Sequence, residues 1–153
     1  MTGAYIQIRG YEVSTNIENN TSQVRFQMFL NNGDQKFSGI PCEGFIEYDG
    51  GKRLTYSGVP DMSQPNKTLA LIDQEVTVKH DGDGTRTVGY RGEFRSTGGN
   101  NSINTSISGR NFALTTISRA SYGADVTAEI AKPVTINITK REAWMRHSIW
   151  VTI

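Results

Sequence analysis

Apolar and polar residues alternate one by one along most of the chain, as they do in strands that bury one face. The clearest run covers residues 23–31, whose apolar members are Val24, Phe26, Met28 and Leu30. Similar alternation recurs at residues 75–79, 87–95 and 134–139. No window of helical length carries apolar residues at helical spacing behind a capping residue. The pattern predicts an all-β protein.

Turns rich in Gly, Asn and Asp separate the alternating runs. They occupy residues 31–34, 49–51, 81–84 and 98–101. Such residues tolerate the positive φ that tight hairpin turns require. Many short strands at this spacing are typical of an antiparallel β-sandwich of the jelly-roll or immunoglobulin-like type. Residues 59–67 contain two prolines and lack alternation, so they are predicted to form an exposed loop.

The alternation changes register near the end of the predicted sandwich. Leu114 and Thr116 continue one strand pattern, but the next apolar residue is Ile117. A one-residue slip moves side chains to the other face of a strand, so we expect a linker or a crossing there. The sequence predicts a sandwich over residues 4–117. Residues 118–153 are predicted to form a linker and additional C-terminal strands, which either pair with the first sheet or open a second β module that is truncated in this chain.

Charge and composition narrow the range of partners. The formal net charge is +1, which argues against nucleic acid, because phosphate binding needs concentrated Lys and Arg. No apolar run reaches membrane-spanning length and no signal-peptide pattern is visible, so we expect no membrane insertion. Cys42 is the only cysteine. It allows no intrachain disulfide, which fits folding in a reducing cytosol, and we expect it to be buried and inert.

No sequence motif indicates catalysis. The chain lacks a Gly-x-Ser-x-Gly elbow, a His-Glu-x-x-His helix and a phosphate loop. Glu43, Glu47 and Asp49 alternate on one strand face, and paired carboxylates can hydrolyse glycosides. A row of acidic residues is, however, typical of a solvated face. We therefore expect no catalytic residues, no cofactor and no enzymatic activity.

Asp81 and Asp83 are the weak candidates for a metal site. They stand on a glycine turn with alternating oxygen ligands, as calcium loops do, but the further carboxylates of a complete loop are missing. We expect a hairpin turn there and no metal. The preceding residue, His80, shares a strand face with Val78, which predicts a core or rim histidine with satisfied hydrogen bonds.

Aromatic residues supply the candidate interaction surfaces. Trp144 and Trp150 fall on one strand face together with Arg146. Their rings would either stack on sugars or be buried against a neighbouring subunit or module, the more common position of Trp at interfaces. Tyr48 and Tyr56 flank a predicted turn. They would line a shallow groove or, alternatively, pack in the core.

The segment Leu114-Thr-Thr-Ile-Ser-Arg-Ala-Ser121 resembles a signature of minor structural proteins in tailed phages that infect streptococci, lactococci and related Gram-positive bacteria. That signature reads Leu-Thr-x-Ile-Pro-Arg-Ala-Ser, and Ser118 replaces its proline here. Other segments that are similar to this family are 20–24, 78–88, 134–138 and 146–149.

The resemblance implies a non-enzymatic virion protein of the phage tail or tail tip, assembled in the host cytoplasm. It would work in a symmetric homo-oligomer with other tail subunits and contribute to attachment to host cell-wall saccharide. The alternatives are a free-standing carbohydrate-binding module and a cell-wall hydrolase. A tail component predicts oligomers or a larger parent chain, a binding module predicts a monomer with glycan affinity, and a hydrolase predicts loss of polymer mass.

Overall fold

The computed structural model describes residues 3–99 and 103–119, together with the backbone of Ser121–Thr127 and Thr135–Arg141. Within this part the chain forms strands and no α-helix, which confirms the all-β prediction. The strands are β1 (Tyr5–Asn16), β2 (Thr21–Asn31), β3 (Cys42–Tyr48), β4 (Lys52–Gly58), β5 (Thr68–Lys79), β6 (Thr87–Ser96), β7 (Thr105–Ala113), β8 (Ser121–Thr127) and β9 (Thr135–Arg141). None of the described residues belongs to a helix that is long and apolar enough to cross a membrane.

Two antiparallel sheets pack face to face around one core. One has the strand order β1-β2-β5 and the other β4-β3-β6-β7. A sandwich of three and four strands is immunoglobulin-like, whereas a jelly roll has eight strands. The sandwich prediction is therefore confirmed, and the described strands have the immunoglobulin-like arrangement. β8 pairs with β9 in a separate antiparallel sheet.

The chain stays attached to the sandwich beyond β7. Leu114 and Ile117 are buried, and the Ile117 amide donates a hydrogen bond of 2.9 Å to the Gly84 carbonyl oxygen. Ile117, the residue at which the alternation changes register, thus anchors the segment after β7 to the sandwich. The division at residues 4–117 and 118–153 stays a prediction, since the side chains of residues 120–153 lie outside the described part of the chain.

β2 is the middle strand of its sheet and contributes a continuous row to the core. Its inward side chains are completely buried: Val24, Phe26, Met28 and Leu30. Across the core, the Phe26 ring lies 4.8 Å from the Tyr48 ring and 5.7 Å from the Tyr90 ring. Burial of one large apolar side chain stabilises a fold by about 1.5–3 kcal/mol. The alternation read from residues 23–31 is therefore a main source of stability.

The segment between β4 and β5 is the loop that the sequence predicted, and most of its residues are exposed. Two of its side chains are nevertheless buried, Pro60 and Met62, and Met62 pairs through its backbone with Phe37. The buried Asn32 side chain holds the segment in place. Its Nδ2 donates to the Gln64 carbonyl oxygen at 2.7 Å, and its Oδ1 accepts from the Lys67 amide at 2.7 Å. The prolines indicated the loop but not which of its side chains the fold buries.

A glycine in β1 allows the two sheets to meet closely at one edge. A Cβ atom on Gly10 would lie 2.8 Å from the Phe26 ring and 3.0 Å from the Phe112 ring. Phe26 belongs to the same sheet as Gly10, and Phe112 belongs to β7 of the other sheet. Any larger residue at position 10 would push these rings apart.

We expect Gly10→Ala to lower the free energy of unfolding by about 1–3 kcal/mol, the usual cost of overpacking a core. The control is Gly89→Ala, because a Cβ on Gly89 has the Arg110 carbonyl oxygen as its nearest neighbour, at 3.8 Å. That variant should stay within about 0.5 kcal/mol of the parent. Urea unfolding measures both, and equal losses in the two variants would contradict the close contact at Gly10.

Candidate functional site

The structure separates the two tyrosines that were predicted to line a groove. Tyr48 is buried in the core against Phe26, with 9% of its surface exposed. Of the two positions predicted for Tyr48, the groove and the core, the structure shows the core, so this ring is not an interface or saccharide residue. Tyr56 is half-buried on β4, opposite Gly44, where it packs against the edge of the core and also lines a depression. The other predicted site residues lie outside the described part, and their roles stay predictions: Trp144, Arg146 and Trp150.

The loop that contains Asp81 and Asp83 forms a turn in which each carboxylate has a protein partner. Asp83 accepts hydrogen bonds from the Thr85 amide at 2.9 Å and from the Thr85 hydroxyl at 2.7 Å. Asp81 accepts a hydrogen bond of 3.0 Å from Arg86. Over the described residues, no group of three or more His, Cys, Asp and Glu side chains is placed to hold a metal ion. The carboxylates of Asp81 and Asp83 thus form hydrogen bonds within the turn and with Arg86, which follows it.

The outer face of the four-stranded sheet carries a grid of polar side chains around one aromatic ring. We call it the Phe45 face, and it consists of Glu43, Phe45 and Glu47 from β3, Arg53, Thr55 and Ser57 from β4, and Arg91, Glu93 and Arg95 from β6. A depression of about 420 Å³ opens over most of this surface. The antiparallel register brings the three strands' outward residues side by side, which local sequence does not reveal.

Ion pairs fix the charged side chains at one end of the Phe45 face. Glu47 accepts hydrogen bonds from Arg91 at 2.9 Å and from Arg53 at 2.8 Å. Arg91 donates a further hydrogen bond of 2.9 Å to Glu93. The hydrogen bonds from Arg91 and Arg53 hold the pKa of Glu47 below its ordinary value. Glu47 is therefore ionised at neutral pH and held between two guanidinium groups.

The Phe45 ring lies beside these guanidinium groups. The guanidinium carbon of Arg53 is 4.1 Å from the ring centroid and that of Arg91 is 5.1 Å away, both within the range of cation–π contacts. At the other end of the face, Arg95 pairs with Glu43. Three arginines thus stand beside three glutamates, and the face carries no formal net charge.

Two carboxylates near the turn after β3, Glu47 and Asp49, have lowered pKa values. A glycosidase needs one carboxyl group with a raised pKa as its general acid, but the pKa of Glu47 is lowered. Asp49 lies in the turn after β3. Burial raises its pKa, but hydrogen bonds from Arg86 and Lys52 more than offset this, and the pKa is lowered overall. Glu47 and Asp49 therefore both remain ionised at neutral pH.

Residues 2–153 match a family described as siphovirus proteins of unknown function (DUF859). This chain belongs to that family. It is therefore a phage protein, as the resemblance in its sequence implied. No curated protein matches the chain significantly. A distantly similar solved structure is the ApaA protein from Bordetella pertussis, with a TM-score of 0.40 and 12% identity, over 73% of this chain and 92% of that one.

This siphovirus protein also contains a buried polar cluster that joins three strands. Ser22 Oγ lies 2.6 Å from Glu12 Oε1 and 2.7 Å from His80 Nε2. His80 Nδ1 lies 2.9 Å from the Gly84 carbonyl oxygen. His80 is thus a core histidine with satisfied hydrogen bonds, as predicted. The cluster escaped sequence analysis, because its members meet only through the register of β1, β2 and β5.

The cluster differs from a catalytic triad in order and access. In a triad the histidine lies between the serine and the acid, whereas here Ser22 lies between His80 and Glu12. Ser22 is 1% exposed and His80 is 3% exposed, so neither is open to a substrate. We interpret the cluster as structural.

Both ring nitrogens of His80 have a hydrogen-bond partner. The Gly84 carbonyl oxygen can only accept, so Nδ1 of His80 donates to it. The Ser22 hydroxyl donates to Glu12 and also lies within hydrogen-bond distance of Nε2 of His80.

Glu12 also holds the segment that follows β7. Its Oε2 accepts a hydrogen bond of 2.9 Å from the Thr115 amide. Partial burial raises the pKa of Glu12, but the hydrogen bonds from Ser22 and Thr115 more than offset this, and the pKa is lowered. Because the folded-state pKa is depressed, this stabilisation is present above the ordinary pKa of a glutamate and is lost as the pH falls through the folded value.

We expect Glu12→Gln to lower the free energy of unfolding at pH 7 by about 1.5–3 kcal/mol, the range for hydrogen bonds to a charged group. The variant should also lose less stability than the parent when the pH falls below about 4.5. Chemical unfolding at pH 7 and pH 3.5 measures both effects. Glu18→Gln, at an exposed turn position, is the control. Equal pH dependence in the parent and Glu12→Gln would contradict the assignment.

Proposed function

We propose that this siphovirus protein is a non-enzymatic structural component of the phage tail or tail tip that contributes to attachment to the host cell surface. Its membership of a siphovirus family supports a role in the phage particle. The Phe45 face is the observation that carries the attachment role. It combines an aromatic ring, fixed charged groups and an open depression on an exposed sheet, and such combinations are typical of ligand sites.

The state of the carboxylates favours binding over hydrolysis. Glu43 and Glu47 are both paired with arginines, and the pKa of Glu47 is lowered. A cell-wall hydrolase would need a protonated carboxyl group beside the scissile bond. The proposed function is therefore adhesion without bond cleavage.

A symmetric assembly would compensate for weak individual sites. A shallow site on a flat sheet buries little of its ligand, so one copy is expected to bind weakly. Several copies on one tail bind as a unit, and linked sites gain avidity without any new contact. Other tail subunits, including further copies of this chain, are therefore the proposed protein partners.

We expect antibodies raised against the purified chain to label the tail or its tip in negatively stained phage particles. The physical reason is that attachment requires the protein to be exposed where the particle meets the cell. Immunogold electron microscopy is the measurement, with pre-immune serum as the control. Gold confined to the capsid, or its absence from intact particles, would contradict the proposed location.

The free-standing binding module is the alternative, and two measurements separate it from a tail component. A module predicts a monomer in solution that binds glycans and is absent from particles. A tail component predicts particle labelling, together with oligomers on size-exclusion chromatography or copies joined through other tail proteins. Incubation with purified cell walls, followed by sizing of the polymer, tests the hydrolase and should show no loss of mass.

A further inference from the structure

We infer that the Phe45 face binds an uncharged saccharide, with a sugar ring packed on Phe45 and its hydroxyls bound by the surrounding arginines and glutamates. The inference rests on the proposed attachment function and names the site and the class of ligand. It places the saccharide site on the outer face of β4, β3 and β6, where Tyr56 of the predicted residues also lines the depression.

The shape of the surface fits a small ligand. The depression of about 420 Å³ falls within the range of known ligand pockets, about 300–1,000 Å³. Phe45 forms part of its floor and Thr55 and Glu93, its partners in register, lie on either side. The Phe45 ring is half-buried and has the guanidinium groups of Arg53 and Arg91 against it. The part of the ring that these groups leave exposed lines the depression and can pack against the C–H groups of a sugar.

The polar groups match the hydroxyls of a sugar. A hydroxyl both donates and accepts hydrogen bonds. Glu43 and Glu93 can accept from it, and Arg95 can donate to it. These side chains are between 41% and 65% exposed, so they can reach a ligand. Their ion pairs already hold them in place, which reduces the entropy lost when a ligand binds.

The balance of charge favours a ligand without charge. Each arginine on the Phe45 face has a glutamate partner. A phosphate or carboxylate on the ligand would have to displace one of these glutamates and leave it unpaired. A neutral sugar can bind between the pairs without breaking them. The same argument disfavours anionic cell-wall polymers as the ligand of this face.

The test compares Phe45→Ala with Phe29→Ala. Phe29 lies on the outer side of the other sheet, half-buried, with the guanidinium carbon of Arg9 at 5.5 Å from its ring centroid. The two variants therefore remove the same kind of ring from comparable surroundings, but only Phe45 lies in the depression. Full-length chains are displayed on streptavidin tetramers, so that weak sites gain avidity, and applied to an array of neutral and anionic glycans.

We expect the parent and Phe29→Ala to bind one or more neutral glycans, and Phe45→Ala to lose at least tenfold in binding. A second variant, Thr55→Arg, guards against misfolding of the first. Thr55 is exposed, so the longer side chain would obstruct the depression without entering the core. It should also lose at least tenfold, with an unchanged melting temperature.

Several results would overturn the inference. In the first, the parent chain binds no neutral glycan, and in the second it binds anionic glycans alone. In the third, both Phe45→Ala and Thr55→Arg bind as strongly as the parent. Tail labelling together with any of them would leave the tail location standing and remove this site. Glycan binding that needs Phe45, without labelling of the particle, would support the site in a free-standing module and remove the tail role.

Discussion

The burial of one face of β2 between the two sheets is the constraint on which the rest of the structure depends. Phe26 contacts Tyr48 and Tyr90 of the opposite sheet, so one strand's inward row sets how the sheets pack. Gly10 keeps β1 close to these rings at the edge of the core. A one-residue shift in the register of β2 would move this apolar row to the outer face and expose it to water.

The same constraint determines the outer surface. In β3, Cys42, Gly44, Ile46 and Tyr48 face the core, so the residues between them must face outward. Cys42 is one of this buried row, as expected from the sequence, and burial raises the pKa of its thiol. Pairing with β4 and β6 then places arginines beside Glu43 and Glu47. The Phe45 face thus consists of the outward residues of strands whose inward residues belong to the core.

Two buried polar clusters attach the irregular segments to the sandwich. Asn32 binds the backbone at Met62, Gln64 and Lys67, and Glu12 binds the backbone after β7 through Thr115. The Asn32 side chain thereby satisfies backbone groups of a partly buried segment, whose burial without partners would cost free energy. Long connections in this chain are thereby fixed, although their sequences have the composition of loops.

The sequence by itself determined the all-β class, the buried row of β2 and the outward position of Glu43 and Glu47, because strand alternation is a local property with a period of two. The eight-residue segment from Leu114, which matches six of the seven specified positions of the signature, also indicated a phage protein. Only the tertiary structure decided that Met62 is buried, that Phe45 lies between Arg53 and Arg91, and that Glu12, Ser22 and His80 meet. Those outcomes depend on which strands are neighbours and in which register, and pairing partners tens of residues apart leave no local signal.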